Sequence, residues 1–263
     1  MREGIAIWEE LEIGQRQCAV WRFPYRHIFV ERVDIEWHVL SLPAEGKNQS
    51  LCTFIERSGK PVSSAWRHYL AHDFPLVLPV PVLPDRPVVV RPDRPLTILP
   101  GESAQFFLEI PVWFRLTSAG GGSIRIFEEP LRILSNTWFG DPLNGELCYS
   151  LDIRLHQSIQ SVPMCAGSAV CPLHLTNDSN SDLPFEKVCL HVENLSVFKS
   201  GTRLWTNGLN VIFKGSEQAT QIQITGGVPD FEENLFLASG ARQPAEGWSI
   251  KKTFSMLKYF TEL

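Results

Sequence analysis

Two carboxylates, Asp141 and Glu146, stand close together in the stretch S-N-T-W-F-G-D-P-L-N-G-E-L-C-Y-S-L-D-I-R-L-H (135–156), beside the aromatic pair Trp138 and Phe139. Paired acids next to an aromatic platform are the machinery of glycoside hydrolysis, provided that the carboxyl groups come within about 5 to 9.5 Å of each other. A plainer use competes with that one. An Asp between Gly140 and Pro142 is ordinary turn chemistry, and a Trp beside it serves equally well as a hydrophobic anchor.

Three other sets of residue types invite chemistry. Cys148, Asp152 and His156 are those of a cysteine hydrolase, but a strand rises about 3.3 Å per residue. Cys148 and His156 would then stand about 26 Å apart, beyond any nucleophile–base contact. His68 and His72, with Asp73 beside them, are spaced to share a helix face as a metal pair. They have no intervening glutamate and no third ligand placed by sequence, so a surface turn of helix is the preferred reading. His174, Cys189 and His191 fall on neighbouring expected strands and are expected to face outward, without a fourth group or supporting shell. The six cysteines (18, 52, 148, 165, 171 and 189) form no C-x-x-C pair and match no zinc spacing. They are expected to be small core residues, with no metal and no cofactor. The chain also lacks the G-x-S-x-G elbow, the phosphate-binding P-loop and the dinucleotide G-x-G-x-x-G.

The elements that must position these residues read as strands. From Leu147 the apolar residues fall at every second position (Leu147, Tyr149, Leu151, Ile153, Leu155), with Cys148, Ser150, Asp152, Arg154 and His156 between them. That period of two predicts a strand with one buried and one wet face. Gly140-Asp141-Pro142 and Asn144-Gly145 before it predict a β-hairpin whose tip carries the two acids. Upstream, 18–23, 27–31 and 33–40 are expected strands, the last with Val33, Ile35, Trp37 and Val39 inward. Residues 64–74 are the first with helical character. The proline-punctuated run 76–94 predicts edge strands or extended crossings, because proline cannot donate to a ladder. Pro100-Gly101 and Gly120-Gly121-Gly122 are turns, and Asn207-Gly208 predicts a further hairpin. Residues 250–260 close the chain as a strand or short helix.

At 263 residues, 44% of them hydrophobic, the chain can bury a large core. A net charge of −5 with no Lys/Arg run gives no electrostatic footprint for nucleic acid. No apolar run approaches the length of a membrane-spanning helix. No signal peptide is evident, so a cytoplasmic protein is expected, in which the sequons at Asn48, Asn177 and Asn194 carry no meaning. Short strands at turn spacings of about ten residues predict an all-β protein. The expected architecture is two immunoglobulin-like antiparallel β-sandwich domains in tandem, 1–134 and 135–263, with the boundary somewhere within 128–165. A single large sandwich with long excursions is the alternative.

Leu83-Pro84-Asp85-Arg86-Pro87, the block Ser135 to Asp141 with Gly145-Glu146-Leu147-Cys148-Tyr149, and Leu204-Trp205-Thr206-Asn207 together resemble an uncharacterised prokaryotic family catalogued as a domain of unknown function, number four hundred thirty-two. The resemblance spans most of the chain and implies that the whole chain is one evolutionary unit. It carries no activity, substrate or catalytic residue.

The reading that follows is a non-catalytic binding or assembly module. Its candidate contact residues are Asn136, Trp138, Asp141 and Glu146 at one end of a sheet, and its partner is a protein or a second copy of itself. A hydrolase acting on carbohydrate-like substrates through Asp141 and Glu146 is the alternative. A scaffold with no small-molecule site is a third.

Overall fold

A computed structural model describes residues 2–3, 7–44, 54–71, 74–119, 124–201, 203–215 and 221–243. The expected loop 43–50 lies mostly outside these residues, and His72, Asp73, the Gly120–Gly122 turn and the closing segment 250–260 lie wholly outside. The described chain is all-β, with twenty-three strands, two short 3-10 turns between 159 and 194, and no α-helix among the described residues.

The first sheet has six antiparallel strands, in the order Arg2–Glu3, Phe54–Ser58, Cys18–Phe23, Arg26–Val33, Glu36–Pro43, Arg67–Leu70. The strand expected over 33–40 is broken. Val33 pairs with Glu36, Asp34 takes a left-handed φ of 53°, and Ile35 points into solvent. Asp tolerates that conformation, and Gln15 holds the turn from both sides: its Oε1 accepts the Asp34 N–H and its Nε2 donates to the Asp34 carbonyl.

The helix expected over 64–74 is also overturned. Arg67–Leu70 is an edge strand with His68 paired to His38 and Tyr69 to Trp37. Tertiary pairing wins here because an isolated helix shorter than about 12 residues is marginal in water, whereas this segment finds an open strand edge. Phe74 just beyond it stacks on Trp37, ring centroids 5.5 Å apart.

A four-stranded antiparallel sheet (Arg125–Pro130, Trp113–Ser118, Leu76–Val82, Leu11–Glu12) packs on the first through aromatics. Phe114 lies 5.3 Å from Trp21, 5.8 Å from Trp8 and 6.0 Å from Phe23, centroid to centroid. Such rings bury large areas and prefer tilted contacts. Glu129 reinforces the junction by accepting from Arg26 and Arg67 of the first sheet.

The proline-rich run divides in two. In Leu76–Val82 the prolines do fall on a largely open edge, since Leu11–Glu12 covers only Leu76 and Val77, and the Ser239 hydroxyl donates to the Pro81 carbonyl (2.6 Å). Val88–Pro92 is a correction. It is an interior strand, parallel to Glu146–Ile153 on one side and antiparallel to Val188–Leu190 on the other. Pro87 and Pro92 bound it, so Val88, Val89 and Val90 keep the N–H groups that an interior strand needs.

The hub of a seven-stranded sheet is Ser168–Asn177. Ser103–Pro111 runs antiparallel along one side, while Leu204–Thr206 and then Leu209–Phe213 pair parallel to successive parts of the other. The hairpin expected at Asn207-Gly208 is therefore absent, because its two strands share a neighbour instead of each other. Asn207 ties the junction to its surroundings: its Oδ1 accepts the Ser196 N–H (2.8 Å) and its Nδ2 donates to the Gly227 carbonyl (3.1 Å).

Strand pairing does not follow a single cut at residue 134. Val88–Pro92, Leu96–Ile98 and Ser103–Pro111 each hydrogen-bond to strands from beyond it. The Trp8 indole donates to the Ala166 carbonyl (3.0 Å), and Lys199 Nζ donates to the Trp8 carbonyl (2.8 Å). One contiguous apolar core runs from Ile7 to Phe213.

Candidate functional site

The central hairpin forms as expected, Ser135–Phe139 pairing antiparallel with Glu146–Ile153, Trp138 opposite Leu147 and Phe139 opposite Glu146. Six residues, 140–145, make its tip. Asp141 organises them. One carboxylate oxygen accepts the N–H groups of Leu143 (2.7 Å) and Asn144 (2.8 Å), and the other accepts from the Asn144 side chain (3.2 Å). Its carbonyl takes the Gly145 N–H (2.9 Å) and the Trp138 indole N–H (3.0 Å). The backbone N–H groups of Asn144 and Leu143 hold the Asp141 carboxyl below the usual carboxylate range. Two glycines are obligatory. Gly140 has φ +105°, and a Cβ on Gly145 would sit 2.4 Å from the Trp138 indole nitrogen and 2.6 Å from the Phe139 carbonyl oxygen.

The two acids therefore part company. Asp141 is consumed by the turn, while the Glu146 carboxylate reaches 3.3 Å from His191 Nε2 and 4.0 Å from Cys189 Sγ. Each acid is engaged by its own partners, and among the described residues no contact joins the two carboxylates. What the tip does present is apolar. Trp138 is 52% exposed, Leu143 91% and Leu147 44%, with Asn136 exposed on the adjoining strand.

Behind the tip the face expected to be wet is dry at Cys148, while Asp152 and Arg154 further along it are exposed. Cys148 is fully buried, and with Val89, Phe139 and Cys189 it forms a small apolar cluster of its own. Leu151 and Ile153 join the main core on the other face. Leu147, expected inside, is outside because its side of the strand is uncovered next to the tip. Cys189, expected to face solvent, is buried in the same apolar cluster as Cys148, on the same face of the same sheet.

His191 adjoins this cluster. Its Nδ1 lies 3.0 Å from Glu193 Oε1, and its Nε2 is buried without a hydrogen-bond partner. Burial alone would lower the His191 pKa, but contact with Glu146 and Glu193, and their charges, outweigh it and raise it to about 10. Contact with Cys148, burial and the nearby carboxylates push the Cys189 thiol up.

The other sets separate. His174 stands half-buried on the hub strand opposite Gln105 and joins no cluster of metal-ligating groups among the described residues. His156, far from Cys148 along the strand, contacts Ser161 (3.1 Å) and Glu109 (3.3 Å). His68 does meet a second histidine, but across strands: Glu36 lies 2.8 Å from His38 and 3.3 Å from His68, and the two rings are 4.0 Å apart. A cleft of about 310 Å³ elsewhere is lined by Tyr25, Glu109, Arg132 and Arg154 among others. Burial raises the Glu109 carboxyl there against the opposing charge of His156. None of Asn136, Trp138, Asp141 and Glu146 lines it.

Sequence reasoning missed Cys148 and Cys189 as neighbours and Glu193 as the partner of His191. The available signal was two pairs of ligand-type residues at i, i+2, Glu146/Cys148 and Cys189/His191, each pair sharing one face of a strand. No curated protein and no solved structure matches the chain. The family model described as "Protein of unknown function (DUF432)" matches residues 7–258, and the chain belongs to that family.

Proposed function

We propose that the protein is a non-catalytic binding module whose contact surface is the tip of the central hairpin, with a protein as its partner. One observation carries the reading. The 140–145 loop satisfies its turn hydrogen bonds internally and yet leaves Trp138 and Leu143 in solvent. A rigid loop that exposes a Trp and a Leu loses little entropy on docking, and buried Trp anchors carry a large share of interface energies. In this reading Trp138 and Leu143 are the anchors and Asn136 is a polar rim contact. Asp141 is the brace that fixes the loop, and Glu146 ties the strand behind it inward. The negative net charge favours a protein partner over nucleic acid.

The test begins with sedimentation velocity over a wide concentration range, comparing the native chain with Trp138→Ala and Leu143→Ser. Self-association that both substitutions abolish supports a second copy as the partner. If the chain is monomeric, a photo-crosslinking residue at position 143 in the native cell should give a discrete adduct that Trp138→Ala removes. An association or adduct indifferent to both substitutions sinks the reading.

A further inference from the structure

We propose that Glu146, Cys148, Cys189 and His191 form a binding site for a zinc ion, with Glu193 orienting the histidine. This goes beyond the reading of the hairpin tip and does not depend on it.

The register brings the four together. Cys189 pairs with Val89, and Val89 with Ser150, so all three point to one face of the sheet. Glu146 and Cys148 lie on that same face by the period of two along their strand, and His191 follows Cys189 by two residues. The ligand atoms of Glu146, Cys189 and His191 all lie within 4.8 Å of one another. Cys148 Sγ stands 3.7 Å from Cys189 Sγ and takes the fourth position, closing on the other two when the ion binds.

Two of the spacings suit a tetrahedral ion. Two sulfurs each about 2.3 Å from a common tetrahedral centre are about 3.8 Å apart, and an oxygen and a nitrogen at about 2.0 Å are about 3.3 Å apart. The observed separations are 3.7 Å between the sulfurs and 3.3 Å from Glu146 Oε1 to His191 Nε2.

The histidine is held to suit. His191 Nε2 is buried and meets the Glu146 carboxylate at 3.3 Å without completing a well-formed hydrogen bond, while Nδ1 on the far side of the ring is engaged by Glu193 at 3.0 Å. That is the carboxylate–histidine arrangement which orients a ring toward a metal. Val89 and Phe139 wall the site with apolar surface, which strengthens ionic bonds inside it. Two thiolates, an imidazole and one carboxylate select zinc over calcium or magnesium. Four protein ligands leave no open position, so the ion is structural. It pins Val188–Leu190 to the root of the hairpin.

The cluster of Glu36, His38 and His68 is the weaker candidate. It has no thiolate, His68 is exposed, and Lys60 Nζ stands 3.4 Å from His38 Nδ1, where its charge opposes a cation.

The test is elemental analysis of the full chain, purified reduced and without chelator, followed by titration of the metal-free chain with zinc against a chromophoric chelator. About one tightly held zinc per chain is expected, and cobalt in its place should give a thiolate-to-cobalt charge-transfer band with the intense visible bands of a tetrahedral ion. His191→Gln and Cys189→Ser should each weaken zinc by well over tenfold, and Glu193→Gln by about 10- to 100-fold. If Cys189→Ser does not fold, the native titration and His191→Gln, checked by circular dichroism, still decide. A folded, reduced native chain that takes up no zinc below micromolar concentrations overturns the proposal. So does zinc retained undiminished in folded His191→Gln, or cobalt spectra without a thiolate band.

Discussion

Cys148 Sγ and Cys189 Sγ lie 3.7 Å apart although the strands that carry them are not neighbours: Val88–Pro92 runs between them, paired to both. Two strand spacings put the Cα atoms roughly 9.5 Å apart, beyond the limit of about 7 Å for a disulfide without backbone movement. Mild oxidation of the native chain should therefore leave both thiols reduced. Denaturation, alkylation and peptide mass mapping will show two alkylated cysteines, and an intramolecular Cys148–Cys189 crosslink would contradict the strand order.

The remaining buried thiols should be slow for a different reason. Burial raises Cys18 to about 11 and Cys171 to about 12, so at pH 8 almost none of either is thiolate, the reactive form. Cys165 is more accessible. Timed alkylation of the native chain should modify Cys165 well before Cys18 or Cys171, with the difference vanishing in denaturant.

The hairpin tip should tolerate no Cβ at its glycines. Gly145→Ala drives a methyl into the Trp138 indole and the Phe139 carbonyl, and Gly140→Ala strains a φ of +105°. Each should cost about 1 to 3 kcal/mol, read as a lowered midpoint in urea. Asp141→Ala should loosen the loop, seen as faster amide exchange at Leu143 and Asn144, whose N–H groups it accepts.

Glu128 provides a pH signature. Arg115 Nε (2.5 Å) and Arg242 (2.7 Å) both bind its carboxylate. Burial alone would raise its pKa, but the two arginines prevail and lower it. A carboxyl whose folded pKa lies below its unfolded value adds stability above the ordinary glutamate value of about 4.5, and that stability is lost as pH falls through the folded pKa. Glu128→Gln should therefore cost about 2 kcal/mol at pH 7. The gap from the native chain should close below pH 4.5, as measured by denaturant titration across pH.

The chain should unfold as one body. Residues 1–134 alone would leave Val88–Pro92 and Ser103–Pro111 without the strands they pair with, two bare edges that invite aggregation. The full chain should show a single thermal transition by circular dichroism and tryptophan fluorescence together. The 1–134 fragment should be recovered aggregated or unfolded. Two separated transitions, or a folded soluble fragment, would support the tandem division.

What the linear order of residues determined by itself was local. The alternation from Leu147 to Ile153 with the Gly-Asp-Pro and Asn-Gly signals sufficed for the central hairpin, because its strands are joined by six residues and its turn is closed by its own Asp141. The all-β class followed from the same periodicity repeated. Long-range pairing was left to the tertiary structure. That Val88–Pro92 lies between Glu146–Ile153 and Val188–Leu190, that Asn207-Gly208 hands a strand on instead of reversing it, and that His68 meets His38 were decided by which open edge each segment met. The burial of Cys148 and Cys189 belongs to this second kind. A period of two tells which residues share a face, but whether a residue on that face is buried depends on what packs beside it, and here each thiol meets the other from forty-one residues away.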